Sequence, residues 1–467
     1  MDHQFTVLTD LGDLPDPPAP DRLRISGCSV VVYFAHRLTE GSDFSHVFES
    51  GGLQTTDDDR SYRTKVRTGS GLLYSSLFES GPLPAALARV VGSSHAAALR
   101  QAAVSLGGEY VLTALPLLLS VPGPITRETA AIELTAPLTT DTLLRFLSLL
   151  EDPDVSRTLG DHCAGALARA AGLSPGDIEK TWAVEGSLAV QVWNLDGTEG
   201  RASTSMYAGR AESAGYAWEI AALLSYATDH LLEDGLWLRR SPQSVFGHVR
   251  TGMAFFDDHM VFVNADCCLE MAHLPAWLRG RSQFRLSAYG YDSSSIFVWT
   301  VGILRRTVCD DLSARYRTAL ADLATRHQIS PAEQSLLTRR RVQHAALLDR
   351  CVGFREKLTE GRNRSLDEWA ARERPTGEVL AVLNRNMEKC ETVSLSLLRV
   401  REEREKNRRD YLIAVTGVVL AAVQLPGFVE QVADWLRESR WERLGISALL
   451  IVVPLTVLLR LRRRRPQ

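Results

Sequence analysis

Apolar and polar positions fall into three regimes along the chain. Between residues 28 and 306, short apolar runs alternate with amphipathic stretches. Ser29 to Phe34 (SVVVYF) is a continuous apolar run of strand length and predicts a buried strand. Leu188 to Trp193 alternates and is followed by the turn signal Asn194-Leu195-Asp196-Gly197. Met253 to Phe256 and Met260 to Val263 flank Asp257-Asp258-His259 and predict a hairpin. Phe284 to Tyr289 and Ile296 to Val301 predict another strand pair around Asp292-Ser293-Ser294. Helices are expected over Ala85–Leu106, Thr140–Leu150, Asp161–Ala171 and Tyr216–Leu232. The mixture predicts an α+β or α/β domain, and a duplicated ferredoxin-like unit is one arrangement that fits it. An extended N-terminal segment, residues 1–27 with Pro15, Pro17, Pro18 and Pro20, precedes it.

The second regime, 307–410, reads as a helical stalk. Val308, Leu312, Tyr316, Leu320 and Leu323 recur at helical spacing. Ser330-Pro331-Ala332-Glu333 is a capping box with proline at the first helical position, and Ser365-Leu366-Asp367-Glu368 reads as another. A long helix is expected to open near Gly377. Within it Leu383, Asn386, Cys390, Val393, Leu397 and Val400 are separated by alternating steps of three and four, which is a heptad seam with one polar position. Such a seam can join copies of the chain into a homo-oligomer or pack on other stalk helices of the same chain.

The third regime is apolar. Tyr411 to Val429 is an uncharged run of about 28 Å as a helix. Leu444 to Leu459 is a second uncharged run, and Arg460 can snorkel from its end. Residues 411–460 are therefore expected to form a transmembrane hairpin, with spans 411–429 and 444–460, followed by a basic tail, 461–467. Arginine and lysine lie thickly before the first run and after the second, so the positive-inside rule puts both termini in the cytoplasm of a multi-pass bacterial inner-membrane protein. Neither run holds an ionisable residue. Thr416, Gln424, Pro426 and Gly427 are the candidate pore-lining or hinge positions.

Composition narrows the chemistry. The net charge of -3 does not call for a nucleic-acid partner. Lysine occurs only at Lys65, Lys180, Lys357, Lys389 and Lys406, so most basic residues are arginine, as a GC-rich bacterial genome would produce. The seven cysteines form no C-x-x-C pair and suit a reducing compartment. No phosphate-binding, dinucleotide, zinc-protease or nucleophile-elbow motif is found. Asp57-Asp58-Asp59, Asp257-Asp258-His259 and Asp161-His162-Cys163 are weak acid–base or metal candidates, and Cys309-Asp310-Asp311 reads as a helix start. The sequence assigns no catalytic residue, cofactor or metal ligand, and the chain is expected not to be an enzyme.

The order of domain, stalk, hairpin and basic tail resembles CorA-type magnesium transporters over Thr307–Gln467. Where that family carries Gly-Met-Asn, this chain has Gln424-Leu425-Pro426-Gly427-Phe428. The chain is also similar to the arginine-rich membrane-associated proteins encoded beside caspase-like and TPR proteins in actinobacterial conflict systems, the CATRA group. That resemblance implies a membrane-anchored sensor or effector of an immune or programmed-death system, acting by pore formation or membrane perturbation. The implied partners are the lipid bilayer, caspase-like or TPR proteins and further copies of the chain. The CorA resemblance implies instead a divergent divalent-cation channel or transporter.

Overall fold

The computed structural model describes residues 4–39, 73–81, 83–92, 97–107, 109–121, 132–195, 214–225, 235–256, 259–272, 294–356, 358, 361–373 and 376–437. The chain divides into two compact units, one made of Met1–Tyr316 with Arg341–Arg385 and the other of Arg317–Arg340 with Asn386–Gln467.

The first unit is built on an 11-stranded mixed sheet. Its strands are β1 (Gln4–Thr6), β2 (Arg24–Leu38), β3 (Leu73–Gly81), β4 (Ala97–Ser105), β5 (Tyr110–Ser120), β6 (Ile132–Glu133), β7 (Leu138–Thr139), β8 (Ile178–Leu195), β9 (Thr251–Phe256), β10 (His259–Val263) and β11 (Cys267–Ala272). The main path runs β1-β9-β10-β11-β8-β2-β5-β4-β3. Pairing is antiparallel except for β8 with β11 and β5 with β6. Strands β2 and β5 sit at the centre and are buried almost end to end. Burial of both faces is why SVVVYF reads as a continuous apolar run rather than an alternating one.

One sheet face packs on α1 (Ala85–Val91), α2 (Thr140–Leu150), α3 (Pro153–Ala171), α4 (Ala217–Leu224) and α5 (Pro242–Val249). Cys28, Val30, Val32 and Phe34 of β2 join Leu115, Leu117 and Leu119 of β5 and Leu143, Phe146 and Leu147 of α2 in this core. The opposite face receives the first part of α6 (Ser294–Thr325). There Thr300 donates to the Ile296 carbonyl at 2.7 Å, so the Tyr33 hydroxyl donates to Thr300, 3.1 Å away. The Ser295 hydroxyl donates to buried Glu270. The unit also holds the second part of α7 (Pro331–Glu356), α8 (Gly361–Glu373) and the first turns of α9 (Thr376–Arg437).

In the second unit, the capping box at the start of α7 forms as its sequence predicts. The Ser330 amide donates to Glu333 at 2.8 Å, and the Glu333 amide donates to the Ser330 hydroxyl at 3.2 Å. Helix α9 buries Met387, Cys390 and Ser394, and Arg401 donates to the Ile329 carbonyl at 3.5 Å.

The expected architecture is corrected at the C-terminal end. Tyr411 to Val429 is not a separate span: it lies inside α9, one continuous 62-residue helix of about 93 Å. The helix runs unbroken through Leu425-Pro426-Gly427, the expected hinge, and on through Glu430 and Asp434 to Arg437. The second run, 444–460, and the basic tail lie outside the described residues. Among the described residues no helix is long and apolar enough to cross a membrane. The two-helix transmembrane hairpin, the CorA-like fold class and the multi-pass inner-membrane location are therefore not what the structure supports.

Smaller corrections have local causes. Ala97–Ser105, expected to be helix, is strand β4, paired with β3 along its whole length. Ile296–Val301, expected to be a strand, lies in the first two turns of α6, and Cys309-Asp310-Asp311 is the interior of that helix rather than its start. Ser365 likewise lies inside α8, which opens at Gly361. The hairpin β9–β10 forms as expected. Phe284–Tyr289 lies outside the described residues.

Candidate functional site

Among the described residues of the first unit, a polar constellation forms where three strand ends meet α6. The antiparallel registers align Arg37 of β2 with Tyr110 of β5 on one side and with Lys180 of β8 on the other. Directly paired residues of a sheet share a face, so phenol, guanidinium and ammonium stand side by side. Asp311 of α6 meets all three. Its carboxylate accepts from the Tyr110 hydroxyl at 2.9 Å, from Arg37 Nη1 at 3.3 Å and from Lys180 Nζ at 3.4 Å. Its side chain is only 7% exposed.

The network spreads from there. Arg37 Nε donates to Glu179 at 2.9 Å. Arg315, one helical turn beyond Asp311, donates to the Tyr110 oxygen at 2.9 Å and to Glu109. His344 of α7 places Nε2 3.7 Å from Glu109, while Nδ1 lies 3.0 Å from the Tyr316 hydroxyl. Lys180 also lies over the Trp182 ring, 4.4 Å from its centroid. Arg350 of α7 donates to the Leu106 carbonyl at 3.0 Å, on the turn that leads into β5. That turn uses Gly107 at φ +91°, where an added Cβ would stand 2.2 Å from Arg350 Nη1.

Arg37, Lys180 and Arg315 balance Asp311, Glu179 and Glu109. Burial, and then the neighbouring Asp311 carboxylate, push the Tyr110 phenol far above the usual range, so it stays a neutral donor. Burial opposes the charge on Arg37, but the bonds to Glu179 and Asp311 outweigh it and hold the guanidinium ionised. The arrangement is a clamp: charge-assisted bonds tie one helix to three strands. Its groups satisfy one another rather than converging on an open substrate position.

A cavity of about 290 Å³ lies beside the turn of α6 that precedes Asp311, lined by Asp266, Arg306, Cys309, Asp310, Glu373 and Thr376 among others. Arg306 already engages Asp310 at 3.3 Å, and Trp369 donates to Glu373 at 3.2 Å. Among the described residues no group of three histidine, cysteine or acidic side chains could hold a metal ion.

The cysteines are all buried and unbridged. Burial raises the thiols of Cys28 and Cys351 to about 12 and those of Cys309 and Cys390 to about 11. Each of these four is therefore a thiol rather than a thiolate near neutrality. His36, fully buried, is lowered to about 3 by burial and is neutral. Thr113 donates to the Phe34 carbonyl, which leaves its oxygen to accept from His36 Nε2 at 2.7 Å; Nδ1 then accepts from Thr181 at 3.2 Å.

The positions singled out from the sequence are distributed along α9. Of the seam, Leu383 and Cys390 are buried, Asn386, Val393 and Leu397 are half-buried and Val400 is exposed. Thr416 donates to the Leu412 carbonyl at 2.8 Å, and Gly427 is exposed within the same helix as Gln424 and Pro426. Asp57-Asp58-Asp59, Asp257 and Asp258 lie outside the described residues. Asp161-His162-Cys163 lies within α3, where Cys163 enters the core. Sequence reasoning missed the Asp311 network. Its one local signal was the Asp311–Arg315 spacing, since the strand partners are joined to it only by sheet register.

No family model, no curated protein and no solved structure matches this chain.

Proposed function

We propose that the protein is a sensor and signalling component of a bacterial conflict system, working by binding and conformational relay rather than by catalysis. The observation that supports this reading is the Asp311 clamp. A single buried carboxylate on a long helix gathers donors from three strands, so a rearrangement of those strand ends changes the number of bonds holding α6. When the strand ends move, the buried Tyr110–Asp311 bond is kept or lost, and its loss leaves a buried hydroxyl unmatched, whereas the half-exposed Lys180 can exchange Asp311 for water. Such an element suits a two-state relay. A cation-transport reading is not taken up, because no described helix is long and apolar enough to cross a membrane.

The experiment is protection against phage in a bacterial host carrying the intact gene cluster. Asp311→Asn should abolish protection while the chain accumulates to normal levels. Full protection by a folded Asp311→Asn chain would remove the clamp from the mechanism. Absence of any protection by the wild-type cluster would remove the conflict-system role itself.

A further inference from the structure

The sheet face under α6 carries a buried row of polar side chains. The parallel pairing of β11 with β8 sets Glu270 opposite Gln191, and the antiparallel pairing of β2 with β8 sets Gln191 opposite Ser29. Directly paired residues share a face, so Gln191 stands in the middle, with Glu270 on one side and Ser29 on the other. Ser29, Val31 and Tyr33 alternate onto one face of β2, and Tyr33 meets Thr300 of α6, so the row faces that helix. Glu270, Gln191 and Ser29 are each no more than 1% exposed.

The members of the row are served unequally. Glu270 accepts from the Ser295 hydroxyl of α6. The Ser29 hydroxyl and both amide atoms of Gln191, Oε1 and Nε2, have no hydrogen-bonding partner among the described residues. Burying an amide without replacing its bonds is costly, and buried polar groups that find no protein partner are met by ordered water. The surroundings leave space for it, because the next positions on the same face are the small Ala189 of β8 and Cys268 of β11, themselves a directly opposed pair.

The mix of donors and acceptors selects the ligand. A water molecule between Ser29 and Gln191 accepts from the hydroxyl and donates to Oε1. A second, between Gln191 and Glu270, accepts from Nε2 and donates to the carboxyl group. A cation could not accept from Nε2, and an anion would face the Glu270 carboxyl group.

We propose that the Glu270–Gln191–Ser29 row is a closed binding site for ordered water, with one molecule on each side of the Gln191 amide. The contact between α6 and the sheet is then hydrated beside Ser295 and tied by charge at Asp311. This inference does not rest on the conflict-system reading.

The test is a crystal structure of the full-length chain at a resolution that shows ordered water. The wild type should show one density within hydrogen-bond distance of Ser29 Oγ and Gln191 Oε1, and another within that distance of Gln191 Nε2 and the Glu270 carboxyl group. Ser29→Ala should lose the first density and keep the second. Gln191→Met, which nearly keeps the volume and removes both amide atoms, should lose both, with a cooperative melting curve showing that it folds. A wild-type Gln191 amide bonded directly to Ser29 or Glu270, with no density between them, would overturn the proposal. So would densities that persist unchanged in Gln191→Met, or a first density that persists in Ser29→Ala.

Discussion

Tyr110 and Asp311 lie 201 residues apart in the chain, yet the phenol donates to the carboxylate at 2.9 Å in a buried site. The same oxygen of Tyr110 accepts from Arg315 on the next turn of the helix. This pair is the hinge pin between sheet and α6, and its energetics are open to a double-mutant cycle. Asp311→Ala removes the acceptor of the buried Tyr110 hydroxyl, while Arg37 keeps Glu179 and the half-exposed Lys180 keeps water, so the cost should be about 1–2 kcal/mol. Tyr110→Phe should cost about 1 kcal/mol. Denaturant titrations should show the double variant losing less than the sum of the two, because both report on one network.

The turn before β5 makes a second prediction. Gly107 combines φ +91° with close approach of Arg350. Gly107→Ala should destabilise by about 1–2 kcal/mol, almost all of it from the backbone, because the Arg350 guanidinium tip can swing aside. Adding Arg350→Ala should therefore recover little, measured by the same titrations.

Acid sensitivity follows from His36. Its pKa falls from 6.5 unfolded to about 3 folded, because burial disfavours the cation. The unfolded chain therefore binds an extra proton between those values, and stability drops as pH falls from about 6.5 toward 3, by up to about 1.4 kcal/mol per pH unit. Above pH 6.5 this contribution is constant. His36→Gln should flatten the slope in urea midpoints measured across that window; an unchanged slope would assign acid loss to other groups.

Thiol chemistry should be silent in the folded state. With Cys28, Cys309, Cys351 and Cys390 raised by burial, an aromatic disulfide reagent at neutral pH should label them slowly. All seven cysteines should react at once in denaturant. Rapid stoichiometric labelling of the native chain would point to an accessible thiolate.

How much of this was legible in the sequence depends on the range of the forces involved. Strand β2, the β9–β10 hairpin, helix α2 and the Ser330–Glu333 box are local: an apolar run, a turn, a 3.6-residue period and a reciprocal cap each suffice. Ile296–Val301 was misread because β-branched and aromatic residues favour strands, whereas burial against the sheet makes helix the better solution here. Ala97–Ser105 was misread in the other direction, since alanine favours helices in isolation but β4 gains its bonds from β3 and β5. The long-range network could not be read at all, because Arg37, Tyr110 and Lys180 become neighbours only through register. Along α9 Leu383 and Cys390 are buried, Asn386, Val393 and Leu397 half-buried and Val400 exposed, a gradient that the three-and-four spacing does not contain.

The measurement that tests the central claim most directly is amide hydrogen exchange on the full chain, comparing wild type with Asp311→Asn. If the carboxylate is the control point, exchange should accelerate locally, in the α6 turns around Asp311 and at the ends of β2, β5 and β8, with the α2–α4 face of the sheet unchanged. Uniform protection in both chains, or acceleration spread evenly over the sheet, would contradict a clamp at Asp311 and leave the network as an ordinary part of the fold.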